Sequence, residues 1–223
     1  YNIYMSENAL SADNQQGSPT LVARNWLLDN DPSETTRRTP ISGYTRNEII
    51  AYLHGAMHDA SLNKKRRVRF TQKYRNWLIT LQCLLKSVGS NSWIYKEGRN
   101  RDVYVLETVC PNLCFNFDPL NLSTDQEKIA YLRGFFDAEG GVPRNGKRFY
   151  IQLVQKDHAK IKALKQILHE LNIFTGKIHN PSHRVDPDYW RIFISARSHK
   201  RFAEIIGSLH PIKAEIFRNR MMI

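Results

Sequence analysis

Three cysteines, Cys83, Cys110 and Cys114, are all that 223 residues contain, an odd number without the spacing of a disulfide framework. Cys110 and Cys114 form half of a metal-binding spacing that has no second half, so they read as structural. No apolar run approaches the ~20 residues of a membrane helix, and the first residues lack the basic-then-apolar pattern of an export signal. The expectation is a soluble, intracellular protein of the cytoplasm or an organelle, with no membrane partner. Acids are scarce too: 21 Asp and Glu face 33 Lys and Arg, a net charge of +12. That imbalance favours a polyanionic partner, most commonly nucleic acid, because each phosphate neutralised releases condensed counterions. A merely soluble basic surface is the alternative. The hydrophobic share of 41% supports one or two compact units.

What the chain does have is a repeat. Residues 45–55 read TRNEIIAYLHG and residues 124–134 read TDQEKIAYLRG, matching at seven of eleven positions without a gap. Each copy opens with Thr-x-x-Glu, a capping box in which hydroxyl and carboxylate satisfy the first free backbone donors of a helix. Ten residues after each Thr stands a glycine, Gly55 or Gly134. A glycine inside a helix costs roughly 1 kcal/mol relative to alanine. A close approach of two helix backbones would offset that, so the two helices are expected to pack against each other at Gly55 and Gly134.

The similarity continues downstream. Residues 67–89 align with 149–172 on the shared Gln72-Lys73 and Gln155-Lys156. Before each pair the apolar residues alternate, Val68 and Phe70 against Phe149, Ile151 and Leu153, which is strand periodicity. After each pair the spacing is helical, from Leu78 to Val88 and from Ile161 to Leu171. Further strands are expected around 92–96, 101–108, 176–180 and 189–195, with a final helix from about Ser198 to Leu209. The expected organisation is an N-terminal extension (1–40, with one short helix over 20–29), a first repeat (41–108), a connector (109–123) that lacks or shortens the final helix, and a second repeat (124–223).

The segment YLRGFFDAEGG (131–141), a capped helix ending in acid, small residue, acid and glycine, resembles the LAGLIDADG signature; YLHGAMHDASL in the first copy is its weaker partner. The resemblance, to the single-chain, two-repeat LAGLIDADG homing endonucleases, covers roughly residues 45–217. It implies an α+β fold of two pseudo-symmetric αββαββα-like halves, with a curved antiparallel-sheet saddle for DNA. It also implies a monomer with internal pseudo-two-fold symmetry that hydrolyses phosphodiesters of a long, asymmetric duplex.

Such hydrolysis needs charge neutralisation at attacking and leaving oxygens, which hard divalent cations on carboxylates provide. By motif position Glu139 is the expected ligand of Mg²⁺, or of Mn²⁺, with Ca²⁺ as a non-catalytic substitute; Ala138 adjoins it in the expected metal site. Asp137 matches the acid that stabilises the helix end. Ungapped alignment places Ala60 opposite Glu139, Asp59 opposite Ala138 and His58 opposite Asp137. Either a one-residue shift makes Asp59 the ligand, the favoured reading, or the first half is impaired. The resemblance adds Gln72, Gln155 and Lys213 as catalytic candidates, whereas Lys73 and Lys156 are equally well read as solvated strand ends. His54 and His58, four apart on a helix, suggest zinc, but Gly55 stands where a zincin needs its glutamate.

Alternation turns Arg67, Arg69 and Thr71 in one half, and Arg148, Tyr150 and Gln152 in the other, toward a major groove as base-reading candidates. Lys177 and Arg191 join them as DNA-binding candidates. Lys64, Lys65, Arg66, Arg99, Arg101 and Lys147 lie in or near loops, where phosphate contacts are expected. Two rivals stand beside this reading. One is an intron maturase, DNA-binding or nicking protein of the same fold that has lost double-strand cleavage; the other is an unrelated basic RNA-binding protein, which predicts no close helix pair.

Overall fold

A computed structural model of the chain describes residues 43–64, 66–144 and 148–221. The extension 1–40, Lys65 and Lys147 lie outside the described residues. Helix α1 (Arg46–Ala56) starts on Thr45, whose hydroxyl accepts a 3.2 Å bond from the Glu48 amide. Helix α3 (Asp125–Glu139) starts on Thr124 with the full reciprocal box, the Glu127 carboxylate accepting from the Thr124 amide at 3.2 Å. The first copy makes only half of the box expected of it, because Glu48 is buried rather than turned back over the helix end.

The two helices cross at their glycines. A Cβ on Gly55 would strike the Tyr131 carbonyl and lie 2.6 Å from the Phe135 nitrogen; a Cβ on Gly134 would strike the Tyr52 carbonyl and lie 2.9 Å from the Ala56 nitrogen. The contacts are reciprocal, glycine of one copy against Tyr-to-next-turn backbone of the other, which defines a local pseudo-two-fold axis. Residues 51–56 and 129–137 are buried almost without interruption, as expected of helices enclosed on all sides.

Each helix is followed by an antiparallel sheet. In the first half β1 (Ala60–Asn63), β2 (Arg67–Gln72), β3 (Ser92–Lys96) and β4 (Tyr104–Thr108) lie in the order β1-β2-β4-β3. In the second, β5 (Gly140–Gly141), β6 (Gln152–Gln155) and β7 (Trp190–Phe193) lie in the order β5-β6-β7. Helices α2 (Arg75–Ser87) and α4 (His158–Glu170) bury Trp77, Leu78, Leu81, Leu84 and Leu85, and Ile161, Leu164, Ile167 and Leu168, in the common core. The α+β architecture of two pseudo-symmetric halves is therefore present.

Two expected elements differ. Residues 176–180 are not a strand: only isolated bridges, Thr175 to Ile194 and His179 to Arg191, tie that segment to β7. Its sequence, GKIHN before Pro181, holds one apolar residue and then a residue that donates no ladder bond. The helix expected from Ser198 to Leu209 ends early, and a further, unexpected helix follows it. Helix α5 (His199–Ile205) stops before Gly207, whose φ of +57° is left-handed, and α6 (Pro211–Met221) begins on a proline. Glycine past one end and proline at the next start are ordinary helix punctuation. In the connector the described residues hold one 3₁₀ turn, Pro119–Asn121, and no α-helix.

Candidate active site and nucleic-acid face

The ends of α1 and α3 resolve the position of the first-copy acid. Ala60 pairs with Phe70 and Gly140 with Leu153, and Phe70 and Leu153 each stand two residues before the repeated glutamine, Gln72 or Gln155. Ala60 and Gly140 are thus counterparts, and so are the residues before them, Asp59 and Glu139. The first copy is one residue shorter between glycine and strand. It absorbs the loss by leaving the α-helix at Ala56 and winding Met57–Asp59 as a 3₁₀ turn, which takes three residues per turn instead of 3.6. Ala138 is the residue without a counterpart, and the ungapped pairing of Ala60 with Glu139 does not persist past the helix.

Asp59 and Glu139 are both half-buried, and the charge of Asp59 acts on Glu139. Burial pushes Asp59 up to about 6, while a hydrogen bond from the Gln72 amide and the charge of Lys213 hold it back. Glu139 is raised by burial and then by the Asp59 charge, with Lys213 opposing. Lys213, in the first turn of α6, donates to the carbonyls of Phe136 at 2.6 Å and Asp137 at 2.8 Å, closing the end of α3. Burial lowers it to about 8, against the pull of Asp137, Asp59 and Glu139. Two carboxylates and one lysine from three elements therefore meet where the helices end.

The neighbouring positions carry a second layer of contacts, in which Asp137 closes the helix end as expected of it. Asp137 is 2% exposed and accepts from the Tyr52 hydroxyl at 2.6 Å, the Leu209 amide at 2.9 Å and the Ser208 hydroxyl. Trp77 donates to Tyr52 in turn, at 3.0 Å. Across the pseudo-axis Tyr131 meets His58, the residue opposite Asp137, at 2.8 Å. Tyr52 and Tyr131 are among the seven repeated positions, and that repetition is the one signal of their role in the sequence. Gln155 departs from its symmetric expectation: its amide nitrogen faces His58 Nδ1 at 2.9 Å, while Gln72 faces Asp59. His54 lies 3.0 Å from the Ile50 carbonyl through Nδ1, and its Nε2 accepts from the Cys114 amide at 3.2 Å. The ring nitrogens of both histidines are thus engaged within the protein.

On the first sheet Val68 and Phe70 enter the core, which leaves Arg67, Arg69 and Thr71 on the outer face. Arg67 pairs with Glu107 at 3.3 Å and Arg69 with Glu97. In the second half Tyr150, Gln152 and Arg191 share the outer face around Phe193, with exposed Arg148 beside them. Arg99, Arg101 and Lys177 are exposed outside the strands. The Nε atoms of Arg69 and Arg191, both closed to solvent, have no hydrogen-bond partner.

Two repeats crossing at glycines, each helix closing on an acid beside an antiparallel sheet, define a LAGLIDADG-type architecture. Comparison with known proteins agrees: residues 126–207 match the family model of a LAGLIDADG-like domain, which bears out the resemblance over the second copy. The homing endonuclease I-ApeI of Aeropyrum pernix is 35% identical over 89 residues, a match that spans 40% of this chain and 38% of that relative. I-DmoI, solved in complex with DNA and Mn, superimposes with a TM-score of 0.57 at 24% identity, over 73% of this chain and 98% of that one. Full-length DUF199/WhiA from Thermatoga maritima gives 0.60 at 19% identity, over 80% of this chain and 61% of that one. At such identities the structural matches establish the fold.

Proposed function

We propose that the protein is a site-specific DNA endonuclease of the homing type, which hydrolyses phosphodiester bonds of a long asymmetric duplex with divalent metal ions. The observation that carries this is the meeting of Asp59 and Glu139 at the paired helix ends, both raised by burial and Glu139 raised further by the Asp59 charge. Similarity to a homing endonuclease and to a fold solved on DNA supports it. The close helix crossing speaks against the unrelated RNA-binding reading. The donor set fits Mg²⁺ or Mn²⁺: carboxylate oxygens are hard ligands, and a cation would offset the burial that raises both acids and the Asp59 charge that further raises Glu139. I-DmoI has been solved on DNA with Mn and with Ca, and a single-substitution variant of it with its target DNA in the presence of Mg.

Asp59 and Glu139 would hold the cation, with Ala138 beside them, and the bound cation would supply charge neutralisation at the attacking and leaving oxygens. Lys213 would keep both acids ionised and place a positive charge beside the phosphate; Gln72 would orient Asp59. The +12 charge would retain the duplex backbone. The test is conversion of supercoiled plasmid carrying the uninterrupted host site to nicked and linear forms, with and without Mg²⁺. Absence of any metal-dependent cutting would leave a binding protein of the same fold. One observation favours a nicking variant of the reading: Gln155 is committed to His58, so the two halves present different amides to their acids.

A pH dependence follows from the same charges. Asp59 is ionised above about 6 and takes up a proton below it, and each proton that must leave before the cation binds costs tenfold in affinity per pH unit. The Mg²⁺ concentration giving half-maximal cutting should therefore rise steeply as pH falls below about 6. In Lys213→Met the restraint on both acids is removed, and the rise should begin at higher pH. Half-saturation measured from pH 5 to 8 for both proteins checks this; an unmoved limb in the variant refutes the role given to Lys213.

A further inference from the structure

The outer faces of the two sheets carry different side chains at two pairs of equivalent positions. In strand register Arg69 stands opposite Glu107 on β4, and Gln152 stands opposite Phe193 on β7; Arg69 and Gln152 each stand three residues before the repeated glutamine. Position 69 and position 152 are therefore counterparts, as are 107 and 193. In the first half Glu107 is 3% exposed and accepts from Asn63 at 2.6 Å, Tyr95 at 3.1 Å and Arg67 at 3.3 Å. A bare carboxylate under a DNA groove would repel the duplex. Saturated by three donors, it acts as a brace instead, fixing Arg67, whose guanidinium also lies 5.4 Å from the Trp93 ring centre. An arginine ordered before binding loses less freedom on contact.

Among the described residues the shallow cavity around Phe193 has no Asp or Glu in its lining; of its two arginines, Arg191 donates to the Tyr189 hydroxyl at 3.0 Å and Arg148 is exposed ahead of β6. Phe193 packs edge-on to Tyr150 at 5.8 Å and stacks on His179 at 5.6 Å. In the major groove the apolar feature on a base edge is the thymine methyl, and glutamine matches the adenine edge as arginine matches guanine.

On the endonuclease reading above, we infer that the halves read different base pairs: the first sheet reads G·C pairs through Arg67, braced by Glu107, and Arg69, paired with Glu97, and the second reads A·T pairs through Gln152 and the apolar surface of Phe193. The full chain, incubated in Ca²⁺ with a pool of duplexes of randomised sequence, should retain sites rich in G·C on one side and A·T on the other. Uracil in place of thymine removes only the methyl. In the A·T half it should weaken binding about fourfold for each methyl buried, and in the G·C half it should change nothing. Phe193→Ala should abolish the uracil effect and leave the G·C preference intact. Arg67→Ala should relax G·C discrimination about tenfold and leave the uracil effect intact. Both side chains are half-buried, and a melting curve of each variant checks that it is folded. Equal base composition in the two halves, or binding indifferent to uracil, overturns the inference while the endonuclease reading stands. Recovery of no duplex overturns both.

Discussion

Gly134→Ala should lower the melting temperature by about 10 °C, and Gly134→Val should leave no folded protein. The added Cβ meets main chain, the Tyr52 carbonyl and the Ala56 nitrogen, so no side chain can rotate away. The helices would have to separate, and they are the element about which both halves pack. Overpacking a core costs ~1–3 kcal/mol where side chains yield, and more where backbone must move; about 4 kcal/mol is a large share of the ~5–15 kcal/mol of a typical domain. For a chain of this size each kcal/mol moves the midpoint by about 2–4 °C. Gly55→Ala should behave alike, because Phe135 and Tyr131 close on it in the same way. Gly176→Ala is the control: its Cβ would lie 3.8 Å from the Phe193 carbonyl, an ordinary contact, and the melting temperature should stay within about 3 °C. If Gly134→Ala melts with the control, the crossing is looser than its geometry states.

The crossing of α1 and α3 is legible in the sequence because of what causes it. A glycine in a helix interior is a local cost, and a cost incurred at the same place in two copies points to a shared tertiary reason. Strand alternation around Val68 and Phe70 and the helical stripe from Leu78 to Val88 are legible because burial imposes their periods. The segment 176–180 is not, since one apolar residue, Ile178, sets no period, and its bridges to β7 depend on a partner distant in sequence. The break at Gly207 does leave a mark, because glycine followed by His210-Pro211 is terminal punctuation.

In the candidate site, the repeat reveals the residues it places, and those placed by tertiary packing stay hidden. Asp59 requires the strand register, because a 3₁₀ turn leaves no mark in sequence beyond the missing residue. Ser208 and Glu107 act through partners far away in the chain: Ser208 meets Asp137, and Glu107 meets Asn63 and Arg67. No spacing rule joins positions 71 or 44 residues apart.

Glu139→Gln and Asp59→Asn should each reduce Mg²⁺-dependent cutting about a thousandfold while duplex binding is retained or tightened. Each substitution keeps the shape of the side chain and removes its charge. Loss of a charged ligand forfeits several kcal/mol of transition-state stabilisation, and about 4 kcal/mol is a thousandfold in rate. Ground-state binding moves the other way, because a negative charge near the phosphates is gone. The pattern of products distinguishes two uses of the pair. If each acid served its own strand, Asp59→Asn and Glu139→Gln would each accumulate nicked circles, cut in opposite strands. If both hold cations common to the two cuts, each variant leaves the plasmid supercoiled. The charge of Asp59 bears on Glu139 and that of Lys213 on both, which favours the second outcome; full-rate nicking by either variant would exclude it.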